Sequence, residues 1–535
     1  MPTVNHHHTV IFYTMIYRRF LLLAAILFGV INLNAQDKTA LSYANQLDSL
    51  KIKTHLTTLA SDAFLGRGAN EKGGEMAVSY IVEALKKSGV KSGNGTSYLQ
   101  DIEAQMQQAN KNASFLFQDF DYKRDFSYSN SMFQDSIITS DEVLFVGYGK
   151  YSKSYNDFAG LDINGKIIMK MYGEPTSRFG IPYAVDDQSS DYMKAAKPKA
   201  ILSVSTSRYF GSSYYGQGSL VFKYGRYIDG EQRIPEIEIS EVLANKLLEP
   251  SGKSIKQIVY EVESSGSSPS LTIEKPVRIT GANRYDKAQV YNVIGIIEGS
   301  SDKDEYVVLA AHYDHLGNRY GDVFNGADDN ASGVSALLEV GAMLAKAKKE
   351  GKGPKRTVIL LFPGAEESGL CGSTYYVNEP VFPLEKTVAC VNIDMIGRVD
   401  SKYDNSSGEY LYVVNRQELS GTLPLQLRKV NNRSLNLTLD FEHSDNYYMF
   451  RQSDNAPFAD KRIPSISLTT GEHKDYHRIT DDSDLIDYKN LYKRAQLIFL
   501  LAMELADPSA AVQPIVEPNE VEVSEEIQIE FMMEK

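Results

Sequence analysis

The chain has 535 residues, enough for two or three domains and more than one sizeable core. With 42% hydrophobic and 23% charged residues it has the composition of an ordinary globular protein. Its formal net charge of -13 argues against a nucleic-acid partner, which calls for a basic patch. Two cysteines, Cys371 and Cys390, are too few for a disulfide framework or a cysteine-built zinc site, and they read as two buried free thiols, with a single bridge between them as the alternative.

In chain order, Arg18 and Arg19 precede the apolar run FLLLAAILFGVINL, which ends near the small residue Ala35. A basic start, an apolar centre and a small residue make residues 1–35 a secretory signal peptide, and the run is short for a membrane span. The mature chain is therefore expected to be exported, to periplasm or medium, with no stable membrane association. His6, His7 and His8 fall in the discarded part and receive no metal role.

Residues 36–111 read mostly helical as far as about 100. GGEMAVSYIVEALKKSG sets Met76, Ala77, Tyr80, Ile81 and Leu85 on one face and stops at a glycine. Residues 112–285 change to short β-rich runs (VLFVGYG, GKIIMKMYG, KAILSVS, SLVFKYG) with few histidines or clustered acids. From 286 to 506 apolar runs alternate with helical stretches, which predicts an α/β fold: a mixed, mostly parallel sheet with helices on both faces. Residues 507–535 form an acidic, Pro- and Glu-rich tail.

The chemistry sits where the apolar runs end. YVVLAA runs into His312 and Asp314, and the next loop, NGADDNASG, holds Asp328 and Asp329. TVILLFPGA ends in Glu366 and Glu367, VACVNI in Asp394, and SISLTTG is followed by His473, Asp475 and His477. A parallel arrangement brings these ends together. Imidazole and carboxylate are good zinc ligands, and five ligands with one bridging carboxylate can hold two metals. Two adjacent aspartates then make sense: one bridges two mutually repelling cations while the other supports the geometry around it. The glutamate pair supplies one more carboxylate than ligation needs, so one can ligate while its neighbour acts as general base for a metal-activated water. Asp314 could orient the His312 ring.

AAHYDHLG, NGADDNASG, PGAEESGLCGS, NIDMIGR, SDNAPF and GEHKDYHRITDD, in that order, resemble the di-zinc aminopeptidase family, which includes bacterial leucyl aminopeptidase and, more distantly, glutamate carboxypeptidase and the transferrin receptor. The resemblance covers about residues 40–110 and 289–503. The segment between, with VLFVGYG, DFAGLDINGKII and KAILSV, resembles more loosely a protease-associated domain.

The resemblance implies a zinc exopeptidase fold and two zinc ions per chain. His312, Asp328 and Asp394 would hold one zinc, and Asp328, Glu367 and His477 the other. Asp328 would be the bridge, with a cis link to Asp329. Glu366 would be the general base, Asp314 the orienting group of His312, and Tyr476 a contact to substrate or oxyanion. His315, His473, Ser453 and Asp454 lie in family-like contexts that serve structure equally well. The implied activity is removal of N-terminal residues from peptides. Alternatives are a carboxypeptidase or dipeptidase on the same scaffold, a glutaminyl cyclase-like transferase, which would use one zinc, and a receptor-like binding protein without metals. Neither oligomeric state nor side-chain preference is legible.

Overall fold

A computed structural model describes residues 38–108, 126–128, 136–184, 187–205, 220–223, 234–281, 284–319, 321–403, 406–444, 446–510 and 512. The signal peptide expected over 1–35 and all but the start of the acidic tail lie outside the described residues.

The helical reading of the first segment holds to Ser88. Helix α1 (Ser49–Leu59) starts at Asp48, whose side chain accepts from the backbone N–H groups of Leu50 and Lys51. Helix α2 (Lys72–Ser88) stops at Gly89, whose φ of 77° closes the left-handed cap. The chain then turns extended in β1 (Lys91–Ser92) and β2 (Leu99–Ile102), where helix had been expected to about residue 100.

Next comes a separate six-stranded sheet built from β3 (Phe126–Tyr128), β4 (Val143–Val146), β5 (Ile167–Met171), β6 (Ala200–Ser205), β7 (Glu236–Ser240) and β8 (Ser270–Ile273), in the order β8-β4-β5-β6-β7-β3. Strands β4 to β7 run parallel. The expectation of a β-rich segment omitted helices: α3 (Glu241–Leu248) and α4 (Ile255–Ser265) cover this sheet and share its apolar core with Phe145, Met169, Leu202 and Ile239.

The remaining strands return to the first sheet. They are β9 (Val290–Ile297), β10 (Asp302–Ala310), β11 (Arg356–Phe362), β12 (Thr387–Ile393), β13 (Tyr410–Val414), β14 (Thr438–Asp440) and β15 (Ser465–Thr469). The nine-stranded sheet has the order β1-β9-β11-β10-β12-β15-β13-β14, with β2 also pairing to β9. Its centre, β11-β10-β12-β15, is parallel and its flanks include antiparallel pairs. The fold is thus α/β with a mostly parallel central sheet.

The central strands are near-continuous apolar runs because both of their faces are covered. Val307 and Leu309 point into a core shared with α1, α2, α5 (Gly333–Lys349) and α8 (Tyr488–Leu505). Val308 and Ala310 point the other way, towards α6 (Cys371–Asn378) and α7 (Asn455–Asp460). Cys371 and Cys390 are buried free thiols. Among the described residues no helix is long and apolar enough to cross a membrane.

Candidate metal centre

Each group at the site is delivered by the C-terminal end of a parallel strand or by the loop after it. Beyond β10, His312 is 1% exposed, and its Nδ1 lies 3.1 Å from the backbone carbonyl of Asp314. That contact turns Nε2 towards Asp394 Oδ1 at 3.2 Å and Asp329 Oδ1 at 3.4 Å. The Asp314 carbonyl is thus the nearer partner of the His312 ring, and its carboxylate Oδ1 stands 3.9 Å from the same Nδ1. Oδ1 and Oδ2 accept the backbone N–H groups of Glu366 (3.0 Å) and Glu367 (3.3 Å), fixing the turn after β11.

The aspartate pair before α5 corrects the sequence reading. Asp328, expected to bridge, points away from the cluster: its Oδ1 accepts from the Gly397 N–H at 2.6 Å and its Oδ2 lies 3.3 Å from His473 Nε2. Asp329 takes the central position, with Oδ2 3.1 Å from His477 Nε2 and 3.5 Å from His315 Nδ1. The cis link lies between Asp329 and Asn330, not between the two aspartates. The physical reason is the turn itself, which sends adjacent side chains to opposite sides; two identical neighbours give no sign of which side each takes.

Three groups hold this loop. Asp481 accepts the N–H groups of Asp328 (3.0 Å) and Asp329 (3.2 Å). Asn330 donates to the carbonyl of Ile393 at 2.9 Å. Arg67, 1% exposed, donates to the carbonyls of Asn325, Gly326 and Asp329 in the loop, and to those of Leu59 and Tyr313 outside it. Asp481 stands in a stretch quoted above and Arg67 does not, but no pattern marks either as a loop anchor, because the loop groups they hold are backbone atoms more than 150 residues away.

After β11, Glu367 Oε2 sits 3.3 Å from His477 Nε2, while Oε1 is 2.7 Å from His315 Nδ1. Glu366 lies beside His312, with Oε2 4.0 Å from Nε2. After β12, Asp394 accepts from Ser453 Oγ at 2.6 Å through the oxygen that does not face His312. Tyr476 stacks on His477 at a ring separation of 3.8 Å.

Two groups of potential ligands result: His312, Asp329 and Asp394, and His315, Asp329 and Glu367, with His477 beside the second. Zinc bonds of about 2.0–2.2 Å in a tetrahedron set ligand atoms about 3.3–3.6 Å apart. The 3.2 and 3.4 Å separations around His312 and the 3.1 and 3.3 Å separations around His477 fit a small divalent cation in each group.

The electrostatics are those of a cluster awaiting positive charge. Burial drives the Glu366 carboxyl well above the usual carboxylate range. Burial also lifts Asp314 to about 7. For His477 burial works against the charged ring, yet the carboxylates of Glu367 and Asp329 overcome it and hold the imidazole up to about 11. Without metal, protons on imidazoles balance the carboxylates, and metal binding at such a site releases them.

The groups open onto a cleft lined also by Met395, Val414, Met449, Gln452, Glu472 and Tyr476. Its described lining includes the carboxylates of Asp329, Glu366, Asp394 and Glu472, and neither lysine nor arginine.

Residues 292–502 match peptidase family M28. The chain is 29% identical over 234 residues to a probable glutamate carboxypeptidase of Arabidopsis thaliana, covering 41% of this chain and 32% of the relative. It is 36% identical over 135 residues to an aminopeptidase of Mus musculus, covering 25% and 17%. The chain thus spans a third or less of the length of these two curated relatives. Among solved structures, a zinc aminopeptidase from Bacillus subtilis superposes with a TM-score of 0.57 at 18% identity, covering 88% of this chain and 98% of that one. An aminopeptidase from Aneurinibacillus sp. strain AM-1 gives 0.54 at 18% identity, covering 89% and 98%. At this identity the two structures establish the shared fold.

Proposed function

We propose that the protein, whose residues 292–502 match peptidase family M28, is an exported, zinc-dependent aminopeptidase that removes the first residue of peptides. The carrying observation is the cleft beside the two ligand groups. Its described lining offers carboxylates but no lysine or arginine. A substrate's free ammonium is attracted to these carboxylates, whereas a terminal carboxylate would find no lysine or arginine in the described lining to hold it. Glu472, exposed and without an ion-pair partner among the described residues, adds to that field.

In this reading His312, Asp329 and Asp394 would hold one zinc, and Asp329, Glu367 and His477 the other. Bound zinc supplies Lewis acidity, polarising a carbonyl and bringing the pKa of a water towards neutrality. Glu366, beside His312 in the cleft, would take the proton of the attacking water and pass it to the leaving amine. Tyr476, buried among carboxylates, keeps its phenolic proton and can donate it to a developing oxyanion. Export rests on the leader-like residues 1–35.

A carboxypeptidase is the second reading, favoured by the name of the Arabidopsis thaliana relative. Matched peptides with a free N-terminus, an acetylated N-terminus and an amidated C-terminus separate the two, read by mass with and without chelator and added zinc. Zinc-dependent loss of the first residue from the free and amidated peptides, but not the acetylated one, is the expected result. Cleavage that survives acetylation and stops on amidation would establish the carboxypeptidase instead.

A further inference from the structure

Three residues just after β10, His312, Asp314 and His315, send side chains to three different parts of the site. Two of those destinations are described above: the His312 ring reaches Asp394 and Asp329, and the Asp314 carboxylate reaches the backbone of the glutamate pair. His315 is the third. We infer that His315 is a positioning residue for Glu367: its Nδ1–H donates to Glu367 Oε1 and so presents Oε2 to the shared metal position beside Asp329 and His477. The inference rests on the two-metal reading above and adds a determinant of metal affinity to it.

The distances separate this role from direct ligation. His315 Nδ1 and Glu367 Oε1 are 2.7 Å apart, a charge-assisted hydrogen-bond length. Two ligands of one tetrahedral zinc would stand about 3.3–3.6 Å apart. His477 keeps 3.1 Å from Asp329 Oδ2 and 3.3 Å from Glu367 Oε2, close to that spacing. The two histidines also address different oxygens of Glu367, so one carboxylate is held at Oε1 and free to ligate at Oε2. Asp394 repeats the pattern, one oxygen held by Ser453 and the other facing His312.

The His315 ring is locked in place. Its side chain is fully buried, and its backbone N–H donates to the carbonyl of Arg67. The ring packs on Gly326 so closely that a Cβ there would stand 2.5 Å from it, and it meets the His477 ring edge-on at 5.7 Å. Nε2 is buried without a hydrogen-bond partner among the described residues, so the ring is fixed through Nδ1, which lies 2.7 Å from Glu367 Oε1 and, farther off, 3.5 Å from Asp329 Oδ2. Hydrogen bonds of this kind to a ligating carboxylate are worth about 10–100-fold in metal affinity or activity.

The test measures zinc binding to chelator-stripped full-length protein by calorimetry and elemental analysis, for wild type, His315→Leu and His315→Asn, with circular dichroism as the check on folding. The expected result is two zincs in wild type. His315→Leu should weaken one of them 10–100-fold and leave the other unchanged. His315→Asn, whose amide N–H can still donate, should recover most of the loss. Equal affinity in wild type and His315→Leu would overturn the inference. Failure of His315→Asn to recover, with an altered visible spectrum of the cobalt-substituted protein, would overturn it in favour of direct ligation. If His315→Leu does not fold, His315→Asn against wild type still decides, since a ligand would be lost and a donor retained. A wild type that binds no zinc would instead refute the two-metal reading itself.

Discussion

Strands β4 to β7 and strands β11, β10, β12 and β15 are both sets of parallel strands with apolar cores and helices packed against them. They differ in what happens to charge around them. In the six-stranded sheet's segment, Asp157 accepts the backbone N–H groups of Tyr148 and Lys150, and Lys150 pairs with Glu174 and Asp187. Those charges are settled within the chain. At the ends of the central nine-stranded-sheet strands, Asp329, Glu366, Glu367 and Asp394 face imidazoles, and no lysine or arginine pairs with them among the described residues. A parallel sheet supplies a place for a site; carboxylates left without a fixed cation make it a candidate metal centre.

Three experiments can break or sharpen that contrast. Glu366→Gln should lower kcat by about 10²–10⁴-fold while leaving zinc content unchanged, measured by steady-state kinetics and elemental analysis. Full activity would remove the base from the account. Next, the same leucine truncation can be placed in each core. Leu202→Ala and Leu360→Ala each delete a fully buried side chain and should cost about 2–5 kcal/mol, read by denaturant unfolding. Only Leu360→Ala should also loosen zinc, because β11 carries the glutamate pair. Loss of zinc in Leu202→Ala would mean that the two sheets are energetically one unit.

The smallest effects are two pH dependences of opposite sign. Burial, helped by Lys51, lowers His55, which lies on α1 and meets Tyr80 of α2, to about 4. Its neutral ring is the native form, so stability is complete above about 6.5 and is lost as pH falls towards 4. Burial raises Asp157 to about 6. There the native state binds a proton more tightly than the unfolded chain, so stability rises as pH falls from about 6 towards 3.8. Each is worth at most roughly 3 kcal/mol. His55→Gln should flatten the acid limb of the melting curve, and Asp157→Asn should raise stability at pH 7 more than at pH 4. The same pH slope before and after either substitution would contradict the corresponding assignment.

Much of the main sheet was legible because its strands are long apolar runs whose polar ends carry a recognisable order of acids and histidines. Helices α3 and α4 were missed in a segment read by its β-rich runs; EVLANKLL and IKQIVYEVESS carry helical periodicity and sit between those runs. Within the site, His312, Glu367, Asp394 and His477 could be singled out as candidate ligands by residue type and place, and the structure brings them around one carboxylate. Which aspartate supplies that carboxylate could not be read, since Asp328 and Asp329 differ only in the direction a turn gives them. Arg67 and Asp481 act on backbone groups of a distant loop, and backbone partners leave no trace in composition or spacing.

The most direct test of the account is the metal content of Asp328→Asn beside Asp329→Asn, each purified, shown to be folded by circular dichroism and loaded with zinc under identical conditions. With Asp329 shared between two positions, Asp329→Asn should fall from two zincs per chain to one or none, while Asp328→Asn keeps two. The reverse pattern, with Asp328→Asn emptied and Asp329→Asn full, would contradict the centre described here.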